Sequence, residues 1–305
     1  MPRPTTRTLN AFAIHGHQQP GNDNEAIADY ESIFDSLLVS PPTVSRFVIS
    51  GDTVAVTIAE RFGSQYAFRF VSGNEDDSSF VYDERTGVDE EVDAGVGRYF
   101  VNGVWLFVDQ GSRVVVIESR RPGVPRYQIE AFFSHYGREV LGMHGLTISL
   151  HPIPSSSFFS EIDSFEVIKE ATLVLRRPNK SWSKTAEGLL GNLPASNAEQ
   201  ISLSAKSSRG ESLNSEDGLV KEIKKLKSRA VSALYNAIIR GRRGDFEGER
   251  TVSLLKHMFK TTVTLPTGGE DADELTALRE GALQLESDIR DDHSEDDELN
   301  PGNAD

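Results

Sequence analysis

Val104-Trp105-Leu106-Phe107-Val108 and Arg113-Val114-Val115-Val116-Ile117-Glu118 flank the tetrapeptide Asp109-Gln110-Gly111-Ser112. Two β-branched and aromatic runs on either side of a short glycine-containing loop predict a β-hairpin from local signals alone. The same pattern continues upstream. Tyr66, Phe68 and Phe70 alternate with Ala67 and Arg69, and Val54, Val56 and Ile58 alternate with Ala55, Thr57 and Ala59, with Gly63-Ser64 between the two runs. A period of two places alternate side chains on one face, so these runs predict antiparallel strands buried on one side. Residues 7–15 predict a first strand. Asn24 to Leu38 predicts a helix with Ile27, Ile33, Leu37 and Leu38 inward and Asp23 or Asn24 as its cap.

Downstream of the hairpin, Pro122-Gly123-Val124-Pro125 reads as a loop. Tyr127 to Tyr136 reads as a short helix with Ile129, Phe132 and Phe133 inward, and Gly145–Ile153 and Glu170–Leu175 read as strands. After Pro178 the composition shifts to Ser, Asn and Ala, and Ile201 to Ala205 is a strand candidate. Gly218 to Ile239 predicts the strongest helix of the chain. Leu219, Ile223, Leu226, Ala230, Leu234 and Ala237 recur at spacings of three and four, and Gly241 and Gly244 stop the pattern. Thr251 to Leu265 predicts two short strands broken near Lys256-His257. From Thr267 the chain is acidic and without aromatics; a transient helix over Leu275–Leu285 is the most order expected of it. The fold class is therefore α+β: a mainly antiparallel β domain over residues 1–160, an α+β domain with a basic amphipathic helix over 161–266, and an acidic disordered tail over 267–305.

The chain of 305 residues has no cysteine, which excludes disulfides, thiol nucleophiles and thiolate metal sites. No apolar run approaches the roughly 20 residues of a membrane span, and the N-terminus lacks the pattern of a secretory signal. A cytoplasmic protein is expected. The net charge of −15 is unevenly spread. Residues 1–168 carry 12 arginines, no lysine and 23 acids; residues 169–265 carry 18 basic and 10 acidic groups; residues 266–305 carry 2 basic and 14 acidic groups. A basic segment between acidic ones speaks to partners, not to fold.

Few constellations suggest chemistry. His15-Gly16-His17 places two imidazoles on one side of a strand without a third ligand at a metal-site spacing. His135, His144 and His151 follow no ligand signature. The acids of Tyr82 to Glu91 lack the glycine and closing glutamate of a calcium loop. Asp109 and Glu118, with Arg120 beyond, are the one pair that could serve a metal-dependent nuclease. Phosphate-binding glycine loops and nucleophile elbows are absent, so no nucleotide cofactor, no metal and no catalytic residue is expected. The basic stretch is the better candidate. On the predicted helix Lys221, Lys225 and Arg229 lie away from the apolar stripe, Lys224 and Lys227 flank them, and Arg240, Arg242 and Arg243 extend the charge beyond its end. Such a face neutralises several phosphates without reading sequence.

Ile201-Ser202-Leu203-Ser204-Ala205-Lys206-Ser207-Ser208-Arg209-Gly210-Glu211-Ser212-Leu213 follows Leu173-Val174-Leu175-Arg176-Arg177-Pro178-Asn179 and precedes the basic stretch. That order, with the upstream hairpin, short helix and strand, resembles RexA-like phage-exclusion proteins and related bacterial phage-defence proteins over roughly residues 98–240. The resemblance implies a non-enzymatic homodimer that binds DNA without sequence preference and acts with a membrane-protein effector. The alternatives are the nuclease of Asp109 and Glu118, or a pure protein-interaction module.

Overall fold

The computed structural model describes residues 5–18, 26–74, 79–83, 88–92, 94–95, 98, 100–176, 200–227, 234–244, 248–266 and 271–299. In chain order its elements are β1 (Thr6–Gln18), β2 (Ala26–Ile27), α1 (Tyr30–Val39), β3 (Arg46–Ile49), β4 (Asp52–Phe62), β5 (Gln65–Gly73), β6 (Ser79–Asp83), β7 (Val88–Val92), β8 (Asn102–Asp109) and β9 (Val114–Ser119). There follow α2 (Arg126–Glu139), β10 (Thr147–Pro152), α3 (Ser156–Asp163), β11 (Val167–Arg176), β12 (Gln200–Lys206), α4 (Gly218–Lys224), β13 (Leu234–Arg242), β14 (Arg250–Ser253), β15 (Lys260–Thr264) and α5 (Asp271–Leu299). The class is α+β, as the patterning predicts.

Two units result, and they interleave along the chain: Met1–Thr8, Gly16–Ile148 and Thr264–Arg279 in the first, Leu9–His15, Ser149–Val263 and Glu280–Asp305 in the second. This differs from the linear division expected near residue 160. The middle of β1 supplies the reason: the Ala11 N–H donates to the Phe259 carbonyl at 2.9 Å, and the Ile153 N–H donates to the Ala11 carbonyl at 3.3 Å. Those partners are remote in sequence, and composition gives no sign of them.

In the first unit the strands run β9-β8-β5-β4-β3, each antiparallel to its neighbour. The hairpin forms as predicted and closes on the pair Asp109↔Val114. The Asp109 carboxylate accepts the Ser112 N–H at 2.8 Å and the Ser64 hydroxyl at 2.8 Å. Strand β5 is buried along nearly its whole length, not on one face only. Phe68 and Phe70 lie under Phe132 and Phe133 of α2 and Phe34 of α1, with ring centroids 5.1–6.4 Å apart. Such edge-on and tilted aromatic pairs add to the burial itself. A bulge between Val56 and Ile58 ends the alternation of β4, so Val54 and Val56 are buried and Ile58 is partly exposed.

Helix α1 starts later than predicted. The expected caps Asp23 and Asn24 lie outside the described residues, and Ala26–Ile27 pairs with β1 instead. The cap is Asp29, whose carboxylate accepts the Ser32 hydroxyl at 2.6 Å and the Ser32 N–H at 3.1 Å. Those bonds hold its pKa below the usual carboxylate value. Helix α2 buries Ile129, Phe132 and Phe133 as predicted.

The second unit contains an antiparallel sheet in the order β12-β11-β13-β14. One face carries Ala171, Leu173, Leu175, Ala237, Ile239 and Val252 into a core with Phe158, Phe159 and Ile162 of α3 and Val220 and Ile223 of α4. The serine-rich start of α3 conceals it in the sequence; its two phenylalanines and Ile162 secure it by burial.

The acidic C-terminal segment departs from expectation. Helix α5 buries Leu275, Leu278, Ala282, Leu285 and Ile289, a stripe at spacings of three and four. In the second unit a Cβ on Gly281 would stand 2.3 Å from Val263 Cγ2 and 3.1 Å from Leu9 Cδ1, so only glycine allows the helix this approach. Residues 300–305 lie outside the description. Among the described residues no helix is long and apolar enough to cross a membrane.

Candidate nucleic-acid interface

The predicted basic helix over Gly218–Ile239 is corrected by the structure. Gly218, at φ +67°, follows the cap Asp217, whose carboxylate accepts the Gly218 N–H at 2.9 Å. The helix then lasts only to Lys224 and tightens into a 3-10 turn over Lys225–Lys227. Residues 228–233, including Ala230 of the expected stripe, lie outside the described residues. From Leu234 the chain is strand β13.

The apolar spacing misleads for a physical reason. Leu234 and Ala237 are three apart and both buried, which suits a helix. In the sheet Val174 pairs with Asn236 and Leu175 with Leu234, so Tyr235 is an extra residue at a β-bulge. A bulge adds one residue to the period of two, and a spacing of three results. Beyond it Ala237, Ile239 and Gly241 turn inward. A Cβ on Gly241 would lie 2.6 Å from the Val167 carbonyl and 2.9 Å from the Phe165 ring.

This geometry divides the predicted cations between the two sides of the sheet. Lys221, Lys224 and Lys225 belong to the helical layer, beside the buried Ile223. Arg240 and Arg242 alternate with inward Ile239 and Gly241 and so face the opposite side. Lys227 ends the 3-10 turn, and Arg229 lies outside the described residues. Four of the eight, Lys224, Lys225, Arg240 and Arg243, meet carboxylates. Lys224 Nζ stands 2.8 Å from Asp163 Oδ1 and 3.6 Å from Glu216 Oε1, and Lys225 Nζ stands 2.6 Å from Glu222 Oε1. Arg240 Nη2 meets Glu249 Oε2 at 2.5 Å. Arg243 Nη2 meets Glu161 Oε2 at 2.5 Å while its Nε donates to Ser164 Oγ at 2.9 Å. Lys221 is exposed.

The open side of the sheet holds a group that sequence reasoning missed. Lys206, Glu170, Arg240 and Thr251 form one row across four strands, and Ser204, Thr172, Ile238 and Ser253 form the next. Thr172 Oγ1 and Ser204 Oγ share a hydrogen bond of 2.7 Å. At the far end the Arg176 guanidinium stands over the Tyr235 ring, 6.0 Å from its centroid. The outward residues of β12, namely Gln200, Ser202, Ser204 and Lys206, are all exposed. The alternation of β12 and the period of β11 carry this signal in the sequence; β13 had to be read as a strand to complete it.

The other constellations resolve into structural roles. Asp109 and Glu118 cannot share a metal, because Asp109 pairs with Val114 at the turn while the Glu118 carboxylate reaches the Trp105 N–H, four residues down the ladder. That is about 13 Å at roughly 3.3 Å per residue. The bonds from Ser112 and Ser64 keep the Asp109 carboxyl below its usual pKa although partial burial opposes them. Glu118 is buried beside Arg7, with Oε1 2.9 Å from Nε, and burial raises its pKa. His15 packs edge-on against His151 at 4.9 Å. The His151 ring nitrogens meet the Leu234 carbonyl at 2.5 Å and Ser149 Oγ at 2.9 Å. Of the acids near Tyr82, Asp83 ends β6, and Asp89, Glu90 and Glu91 belong to β7, which pairs antiparallel with β6; Glu84 lies outside the described residues. Among the described residues no group of three or more His, Asp or Glu side chains is placed to hold a metal ion.

Residues 100–232 match the model of a family described as a domain of unknown function, DUF4747. The match starts just before β8 and ends just before β13. No curated protein matches the chain.

Proposed function

We propose that the chain is a non-enzymatic phage-exclusion protein that binds nucleic acid without sequence preference through its second unit. In this reading it works in the cytoplasm as a homodimer and signals through a membrane-protein partner. The observation that carries the binding is the exposure of the second unit's cations against a strongly negative remainder. The side chains of Lys206, Arg240 and Lys225 are 70%, 52% and 50% exposed. Their ion pairs are therefore surface pairs, each of little net strength, and a phosphate can replace the carboxylate while releasing a counterion. The phage-exclusion part of the reading rests on the resemblance of residues 98–240, and the compartment on the composition.

The carboxylate partners of Lys224, Lys225, Arg240 and Arg243 favour a second reading, an interaction module that touches no nucleic acid. A salt titration separates the two. The full chain is titrated against a labelled duplex of mixed sequence by fluorescence anisotropy. The expected result is sequence-independent binding whose logarithm falls linearly with the logarithm of salt. Arg240→Gln with Arg242→Gln should flatten the slope by about two units, roughly one for each phosphate no longer neutralised, and Lys221→Gln with Lys225→Gln by less. Absence of binding at 50 mM salt would establish the interaction module instead.

A further inference from the structure

We infer that the open face of the β12-β11-β13-β14 sheet is a site for single-stranded nucleic acid, with Tyr235 as its stacking surface and Arg176, Arg240, Arg242 and Lys206 as its phosphate contacts. The inference rests on the non-specific binding proposed above and names its site and ligand class.

The shape of the face argues first. Helices α3 and α4 cover one side of the sheet through the core of Phe158, Ile162, Val220 and Ile223. On the other side the outward residues of β11, Glu170, Thr172, Val174 and Arg176, are all partly exposed. From the row of Glu170 to Arg176 the face extends six residues along β11, about 20 Å at roughly 3.3 Å per residue. That accommodates the smallest single-strand sites, of about four nucleotides. A pleated face offers no helix or ribbon to enter a major groove, the usual device for reading duplex.

Chemistry argues second. Cations stand at both ends: Lys206, Arg240 and Arg242 toward one, Arg176 at the other. Between them lie the hydroxyls of Thr172, Ser202 and Ser204; Asn236 is buried beneath this row, where its side-chain carbonyl accepts from Ser253 Oγ at 3.1 Å. Among the described residues the acids on or beside this face include Glu170, 3.3 Å from Lys206, Glu249, which pairs with Arg240, and Glu166, whose N–H donates to the Arg242 carbonyl at 3.1 Å. Both pairs are exposed enough for phosphate to compete.

Tyr235 selects the single strand. The bulge makes it an extra residue in the ladder and re-aims its side chain. Arg176 lies over the ring at the outer limit of cation–π attraction. A ring so placed can take an unstacked base, and the adjacent guanidinium the following phosphate. Only a single strand presents a base face for this contact, and stacking tolerates every sequence because all bases have one.

The test uses the full chain with fluorescein-labelled oligothymidylate, oligouridylate and a mixed duplex of equal length, read by anisotropy at 50–300 mM salt. Either single strand should bind at least tenfold more tightly than the duplex. Tyr235→Leu should weaken single-strand binding by about tenfold, Tyr235→Phe should retain it, and Arg176→Gln should weaken it several-fold. Lys221→Gln, on the helical side, should change it less than twofold. Thermal melting of each variant checks the fold, and Arg176→Gln carries the test if Tyr235→Leu does not fold. Unchanged single-strand affinity in Tyr235→Leu and Arg176→Gln, or tighter binding of the duplex, overturns this inference alone. Absence of binding to every probe at 50 mM salt overturns it together with the reading beneath it.

Discussion

The β8–β9 hairpin and the stretch from Gly218 to Arg242 are both strongly patterned, yet only one adopts the structure its pattern predicts. In the hairpin each strand finds its partner across a loop of four residues, so turn chemistry and alternation act on the same pair. In the second stretch β13 pairs with β11 and β14, and β11 lies some sixty residues upstream. A local spacing then reports the bulge of a remote pairing as though it were a helical turn. Periodicity is reliable where the partner is near and ambiguous where a distant strand sets the register.

The hairpin should show the largest effect when broken. Phe107 is fully buried and lies between Ala67 and Val116 in the ladder. Phe107→Ala is expected to cost about 3–5 kcal/mol, the usual range for an aromatic core truncation. The shift in urea midpoint at unchanged m-value measures it; a loss under about 1 kcal/mol would mean that this strand is not a core element.

The second stretch offers a sharper discrimination. On a helix bearing Leu219, Ile223, Leu226, Leu234 and Ala237 inward, Ile239 would point away from the stripe. On β13 it is fully buried, and Ile238 is the outward residue. Ile239→Ala should therefore cost about 2–4 kcal/mol, while Ile238→Ala costs about 1 kcal/mol or less. A larger loss in Ile238→Ala than in Ile239→Ala would favour the helix, on which Ile238 joins the stripe four residues after Leu234.

The same contrast explains how much of the molecule is legible in the sequence. The class, the hairpin, α2 and the strands near Val54 and Phe68 follow from alternation and turn residues. The interleaving of the units does not, because it depends on Ala11 bonding to Phe259 and Ile153. Helix α5 was concealed by charge: its acids suggest solvation, while Leu275, Leu278, Ala282, Leu285 and Ile289 form a stripe that burial rewards. Of the candidate site, the residue types were visible and their grouping was not. Lys221 and Arg240 belong to one basic run, and β13 sends them to opposite sides of a sheet.

Glu118 tests the polar end of the hairpin with a smaller effect. Burial raises its pKa above the ordinary value of 4.5, despite the Trp105 N–H and Arg7. The folded chain thus holds the Glu118 proton more tightly than the unfolded chain does. Its stabilising contribution is fully present below about 4.5, the unfolded value, and is lost as pH rises through the raised folded value. In Glu118→Gln the gain in stability between pH 7.5 and pH 5 should shrink. Urea midpoints of both proteins at the two pH values measure the difference, and identical pH slopes would mean that Glu118 titrates as an exposed carboxylate.

The smallest effect on stability should have the largest consequence for the sheet face. The Arg240–Glu249 pair is 52% and 40% exposed on its two sides, so Glu249→Gln should change stability by about 0–1 kcal/mol. Removing that carboxylate leaves Arg240 available to a phosphate and takes one negative charge from the neighbourhood of Arg242. At 0.15 M salt charges act over about 8 Å, so the effect stays local to this face. Glu249→Gln should raise single-strand affinity several-fold at 100 mM salt and less at 300 mM. Glu222→Gln, which releases Lys225 on the helical side, should leave it nearly unchanged. A larger gain from Glu222→Gln than from Glu249→Gln would move the binding surface to α4 and return the cations to the single basic face that the sequence pattern suggests.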